Sequence, residues 1–129
     1  MRAVRKFSLL VSACLLAAVF VLSVSAATTE LSLSGSAKNS APVSGSFTTS
    51  QTETLTATAT FVGKPNGLYS LHLWNAWTDP DAAIVCSDDT SGTATTSTCT
   101  VTDAPHGEWF VEFYPWSGKV AVSIVVAAS

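Results

Sequence analysis

Residues 54–61 read Thr54-Leu55-Thr56-Ala57-Thr58-Ala59-Thr60-Phe61. Every second residue is threonine and the residues between are apolar. Successive side chains of a β-strand point to opposite faces, so this period of two describes a half-buried strand with Leu55, Ala57, Ala59 and Phe61 on the core side. The alternation recurs on both sides of this stretch. Leu31 and Leu33 alternate with Ser32 and Ser34; Tyr69, Leu71 and Leu73 alternate with Ser70, His72 and Trp74; Trp109, Val111 and Phe113 oppose Glu108, Phe110, Glu112 and Tyr114. Val120, Val122, Ile124 and Val126 end the chain as a strand read as apolar on both sides. Turn formers separate these runs: Lys64-Pro65-Asn66-Gly67, Asp79-Pro80-Asp81, Ser91-Gly92, Ala104-Pro105-His106-Gly107 and Ser117-Gly118. No 3.6-residue period follows Ala27. Seven to eight short strands at a spacing of about ten residues predict an all-β fold, an antiparallel β-sandwich of jelly-roll-like type or a small barrel. Residues 27–46 are Ser- and Gly-rich and read as an edge strand or a flexible lead-in.

The first 26 residues have a different character. Arg2, Arg5 and Lys6 precede an apolar run from Phe7 to Val24, and Val24-Ser25-Ala26 supplies small residues for cleavage. These are the three parts of a secretory signal peptide. An uncleaved membrane anchor is the first alternative, because the run approaches the ~20 residues that span a bilayer. Lipidation at Cys14, within Val11-Ser12-Ala13-Cys14, is the second. With cleavage after Ala26, residues 27–129 form a single secreted domain with no membrane attachment. That segment carries all nine acids against three lysines, Lys38, Lys64 and Lys119, for a net charge of −6. An acidic chain with no basic stripe argues against nucleic acid and anionic membranes as partners.

Removal of Cys14 with the signal leaves Cys86 and Cys99. Two cysteines in an exported chain read as a disulfide. They are symmetric about Gly92-Thr93, so a hairpin turning there brings them together. Closing a loop of about 14 residues contributes about 3 kcal/mol in the chain-entropy account. A pair of metal-binding thiols is the alternative, but it lacks a nearby histidine or further cysteine.

From about Phe47 to Val126 the order of features resembles a bacterial pre-peptidase C-terminal domain, a small secreted β-sandwich usually appended to exported proteases. The resemblance is carried by Cys86 with its Ser/Asp/Gly loop, by Thr98-Cys99-Thr100-Val101-Thr102, and by Gly107-Glu108-Trp109-Phe110-Val111-Glu112-Phe113-Tyr114. The turn from Tyr114 to Gly118, the Val-rich end and the Thr54–Phe61 alternation also fit. Where that family commonly has Asp-x-Asp-Leu-Tyr, this chain has Leu68-Tyr69-Ser70-Leu71-His72, and only Leu71 survives. The resemblance implies a non-catalytic domain, in some cases one that helps a parent enzyme engage polymeric substrates.

Four tryptophans in so short a segment suggest carbohydrate binding, since sugar rings lay their C–H faces on flat aromatic side chains. The alternation places His72 and Trp74 opposite Leu71 and Leu73, and Tyr114 and Trp116 opposite Trp109 and Phe113. His72, Trp74, Trp77, Tyr114 and Trp116 are therefore the expected ligand-binding strip, and Trp109 the expected core tryptophan. The competing reading buries all of them as core and end plugs. Asp79, Asp81, Asp88 and Asp89 lie within eleven residues and are candidate oxygen ligands for Ca²⁺, with the Asp88-Asp89 pair read as starting a loop; no other cofactor is expected.

Catalytic signatures are missing. The sequence has no Gly-x-Ser-x-Gly elbow and no His-Glu-x-x-His. Glu108 and Glu112 share a strand face about 13 Å apart, beyond the ~5–9.5 Å of paired-carboxylate hydrolases. The expectation is a secreted, extracellular, non-enzymatic binding module that attaches to an extracellular polysaccharide or matrix polymer. The alternative is a secreted protein-interaction or inhibitor-type protein acting through an edge strand or the Asp-rich loop.

Overall fold

A computed structural model describes residues 27–75 and 85–129. They form eight strands: β1 (Thr28–Lys38), β2 (Val43–Thr49), β3 (Glu53–Phe61), β4 (Leu68–Asn75), β5 (Cys86–Ser91), β6 (Thr96–Ala104), β7 (Gly107–Pro115) and β8 (Lys119–Ala128). Two four-stranded antiparallel sheets result, ordered β1-β8-β3-β6 and β2-β7-β4-β5. Every connection except β4–β5 passes from one sheet to the other. This interleaving is that of a jelly roll, whose two packed sheets bury one face of each strand.

Pleat parity decides what is buried. In β3 the apolar members Leu55, Ala57, Ala59 and Phe61 are buried, and β8 buries Val120, Val122, Ile124 and Val126 beside them. The other sheet contributes Tyr69, Leu71 and Leu73 of β4 and Trp109, Val111 and Phe113 of β7. Phe61 links the layers, its ring centroid 4.7 Å from Tyr69 and 4.8 Å from Phe113. The polar tips are satisfied: the Tyr69 hydroxyl accepts from the Lys64 backbone N–H at 2.7 Å, and Trp109 Nε1 donates to the Pro105 carbonyl at 3.0 Å. Trp109 is thus the core residue expected from its register.

Towards the ends of the described residues one open reading takes its edge-strand form and one expectation changes. The Ser/Gly-rich lead-in is ordered: β1 and β2 are edge strands of different sheets, joined by a tight turn in which Lys38 and Ala41 exchange backbone hydrogen bonds. Strand β8, apolar on both sides in sequence, is buried on only one, for Ala121, Ser123, Val125 and Ala127 face outward. Flanked by β1 and β3, that outward row joins Ser32, Ser34, Ser36 and the Thr56–Thr60 series in a small-residue, hydroxyl-rich surface.

Cys86 and Cys99 form a disulfide with Cα atoms 5.8 Å apart. Their strands follow each other around the Gly92 turn but lie in different sheets, so the bond ties the two layers at one open side. Asp88 reinforces the same side, with its Oδ2 accepting from Ser97 Oγ at 2.6 Å and from the Thr98 N–H at 3.0 Å. Gly63, after β3, packs against this corner. A Cβ there would overlap the carbonyl oxygens of Gly92 and Ala94, which are backbone and cannot swing aside.

Replacing both Cys86 and Cys99 with Ser should lower unfolding stability by about 3 kcal/mol, read as a reduced urea midpoint. Gly63→Ala should cost about 2 kcal/mol from the forced backbone shift, whereas a solvent-facing Thr98→Ser should move the midpoint little.

Candidate functional site

The outer face of the β2-β7-β4-β5 sheet is assembled by the same parity that fills the core. Trp74 stands opposite Phe110, His72 opposite Glu112, and Ser70 opposite Tyr114 across the β4–β7 ladder. On β2, Ser46 pairs with Phe110 and Ser44 with Glu112; on β5, Ser87 pairs with His72 and Asp89 with Ser70. Residues 110, 112, 114 and 116 therefore run down one line. At about 3.3 Å per residue that line is about 20 Å long.

Trp74 and Phe110 stack with centroids 5.6 Å apart and an interplanar angle of 21°. Both are half-buried, so one side of the pair stays open to solvent. Small Ser44 and Ser46 on the neighbouring edge strand leave a depression of about 320 Å³ bounded by Trp74, Phe110 and Glu112. Next along the line, His72 Nδ1 lies 2.9 Å from Glu112 Oε1, and the His72 ring meets Tyr114 edge-on at 5.6 Å. At the far end Trp116 is 54% exposed, yet fixed: its Nε1 donates to Ser70 Oγ at 2.8 Å, and Ser70 in turn donates to Asp89 Oδ1 at 2.8 Å. Its backbone N–H donates to the Leu68 carbonyl, which sets where the chain leaves β7.

The structure thus gathers Trp74, Tyr114 and Trp116 on one face. His72 shares that face but is 9% exposed, covered by Tyr114 and tied to Glu112, so it supports the strip instead of presenting a surface. Its position on the polar side of β4 had suggested an exposed residue; the neighbouring ring and carboxylate cover it. Trp77 lies outside the described residues. Phe110, Glu112 and Ser70 were not among the expected site residues, and Asp89 was expected as a calcium ligand, not as a part of this strip. Phe110 and Glu112 were readable from the β7 alternation, whereas Asp89 reaches the strip only through the β4–β5 register.

Of the four candidate calcium ligands, Asp79 and Asp81 lie outside the described residues. Asp88 and Asp89 do not start a loop; they sit within β5. As neighbours on a strand they point to opposite faces, Asp88 to Ser97 and Thr98, Asp89 to Ser70. Their carboxylates do not converge, and no group of three or more potential metal-binding side chains occurs among the described residues. A second depression, about 490 Å³, lies on the opposite sheet among Ser34, Ser36, Thr60, Val62 and Ala121; no titratable side chain lines it.

No family model matches the chain, and no curated protein matches it in sequence. Solved structures are similar in fold. The periplasmic g-type lysozyme inhibitor PliG of Aeromonas hydrophila superposes with a TM-score of 0.54 at 15% identity, over 78% of this chain and 87% of that one. The SPBc2 prophage-derived protein YomS gives 0.44 at 15% identity, covering 81% and 96%. A carbohydrate-binding module, CBM36, solved with calcium and xylotriose, gives 0.40 at 14% identity, covering 77% and 91%. At such identities the likeness extends to the small all-β sandwich and no further.

Ser70→Ala removes the acceptor of the Trp116 indole and the donor to Asp89. The expected result is a red-shifted Trp116 emission with a stability loss of about 1 kcal/mol, measured against a Trp116→Phe background that isolates the tryptophan signal.

Proposed function

We propose that this chain is an exported, non-catalytic binding module that holds an extracellular polysaccharide along the outer face of β4 and β7. The observation that carries the reading is the alignment of Trp74, Phe110, Tyr114 and Trp116 in one strip on rigid strands, with one tryptophan exposed and the others half-open. Flat rings on a fixed sheet offer contact area with little ordering cost, which suits the stacking of sugar rings. Hydroxyls of Ser44 and Ser46 and the carboxylate of Glu112 border the Trp74–Phe110 pair, so hydrogen-bonding groups lie beside the stacking surface.

Export agrees with the residues 1–26 pattern and with the disulfide, since such bonds persist in oxidising compartments. Kinship with the pre-peptidase C-terminal domains belongs to the same proposal and would make the strip an accessory surface that delivers a partner enzyme to its polymer. Glu108 and Glu112 stay on one strand face four residues apart, a spacing unsuited to joint acid–base work on a glycosidic bond.

In pull-downs on cellulose, chitin and peptidoglycan, the protein should be retained by at least one. Trp74→Ala and Trp116→Ala should each weaken that retention about tenfold, in keeping with ~1–2 kcal/mol for an aromatic contact. Retention on none of the polymers, with stoichiometric binding of a secreted protein, would replace this reading with the inhibitor-type one, for which the PliG-like scaffold offers a precedent of fold.

A further inference from the structure

The aromatic strip is also acidic, and this bears on which polymer it takes. Along β7, Glu108 and Glu112 bracket Phe110 on the same face, each one pleat repeat away, about 6.7 Å. Asp89 stands beside Ser70 at the other end, bonded to the hydroxyl that also holds the Trp116 indole. The face therefore sets carboxylates beside aromatic groups twice along its length: Glu108 and Glu112 with Trp74 and Phe110, then Asp89, through Ser70, with Trp116. Among the described residues this face carries no lysine or arginine. Lys38 and Lys119 lie at the end of the opposite sheet and Lys64 in the β3–β4 loop. His72 is the one group on the face that can gain positive charge, and it is covered and bonded to Glu112.

Such a surface repels anionic glycans and gives neutral ones stacking and uncharged hydrogen bonds. A ligand with ammonium groups gains twice, from cation–π attraction over the open ring faces and from charge-assisted hydrogen bonds to the flanking carboxylates. A carboxylate has about four acceptor positions, so the bonds from His72 and Ser70 leave capacity on Glu112 and Asp89. Glu108 and Glu112 lie about 13 Å apart along β7, with Asp89 two strands to the side. Carboxylates spread over this distance fit a polymer with a cation on successive units better than a single basic side chain of a folded protein. Resting on the polysaccharide reading above, we infer that the preferred ligand is an amino polysaccharide, one whose sugars carry free primary amines.

The test compares retention of the full mature chain on cross-linked chitosan beads, chitin and cellulose at about pH 5.5, where glucosamine amines are protonated and the cross-links keep the polymer insoluble. Retention on chitosan should exceed that on chitin and cellulose by about tenfold and should fall as salt is added. The double variant Glu108→Gln, Glu112→Gln keeps the shape and the acceptor for His72. It should lose the chitosan advantage, with retention on chitosan falling by more than retention on chitin or cellulose. Equal retention on all three polymers, or an advantage that survives the double variant, overturns the amine preference and leaves polysaccharide binding standing. Binding of polylysine without chitosan overturns it in favour of a basic protein, and retention on nothing overturns both readings.

Discussion

Seven paired positions between β4 and β7, from Tyr69 opposite Pro115 to Asn75 opposite Trp109, hold the core and the candidate site in one register. On one side of this ladder Leu71, Leu73, Trp109, Val111 and Phe113 are shut away from water. On the other side the same strands present Trp74, Phe110, Glu112, Tyr114 and Ser70. A slip of one residue on either strand would exchange the two sets. The burial of Trp109 and Phe113 thus fixes the geometry of a surface they do not touch. An aromatic strip anchored in this way needs no separate ordering step, because the stability of the core supplies its rigidity.

The jelly-roll order gives that ladder its setting. With nearly every connection crossing between layers, β4 and β7 lie together at the centre of one sheet although more than thirty residues separate them in the chain. The sandwich is small, and a domain of this size gains limited stability from apolar burial. The Cys86–Cys99 bond and the Asp88 hydrogen bonds sit where the β5–β6 turn passes between sheets. Asp88 and Asp89 divide their work through parity: the first ties the layers together, the second orders the end of the aromatic strip through Ser70 and Trp116. A pair of adjacent acids that resembles a cation site in one dimension is thereby split between two faces.

Much of the fold was legible before any coordinates, because period-two alternation is a local property and each strand declares its own inner face. Thr54–Phe61, Leu68–Asn75 and Gly107–Pro115 were all read with the side that proves buried. The disulfide was legible too, from the cysteine count, although the turn between the cysteines crosses from one sheet to the other and does not make the hairpin expected there. Errors arose where local pattern does not carry the information. Strand β8 has valines and alanines on both faces, and only its neighbours reveal that one of those faces meets water. His72 lies on the polar side of its strand, yet Tyr114 and Glu112, some forty residues distant, cover it. Phe110 was placed on the right face without its stacking on Trp74 being foreseen.

The amino-acid sequence by itself determined which strands form, which side of most of them is apolar, and that an acidic chain with four tryptophans results. Side-chain periodicity, turn residues and charge count are properties of short segments, and they need no partner to be read. The tertiary structure alone decided which strands lie side by side, and so which aromatic residue meets which carboxylate. That choice rests on pairing between distant segments, where closure of the two sheets around a common core selects one register from many that the local pattern allows.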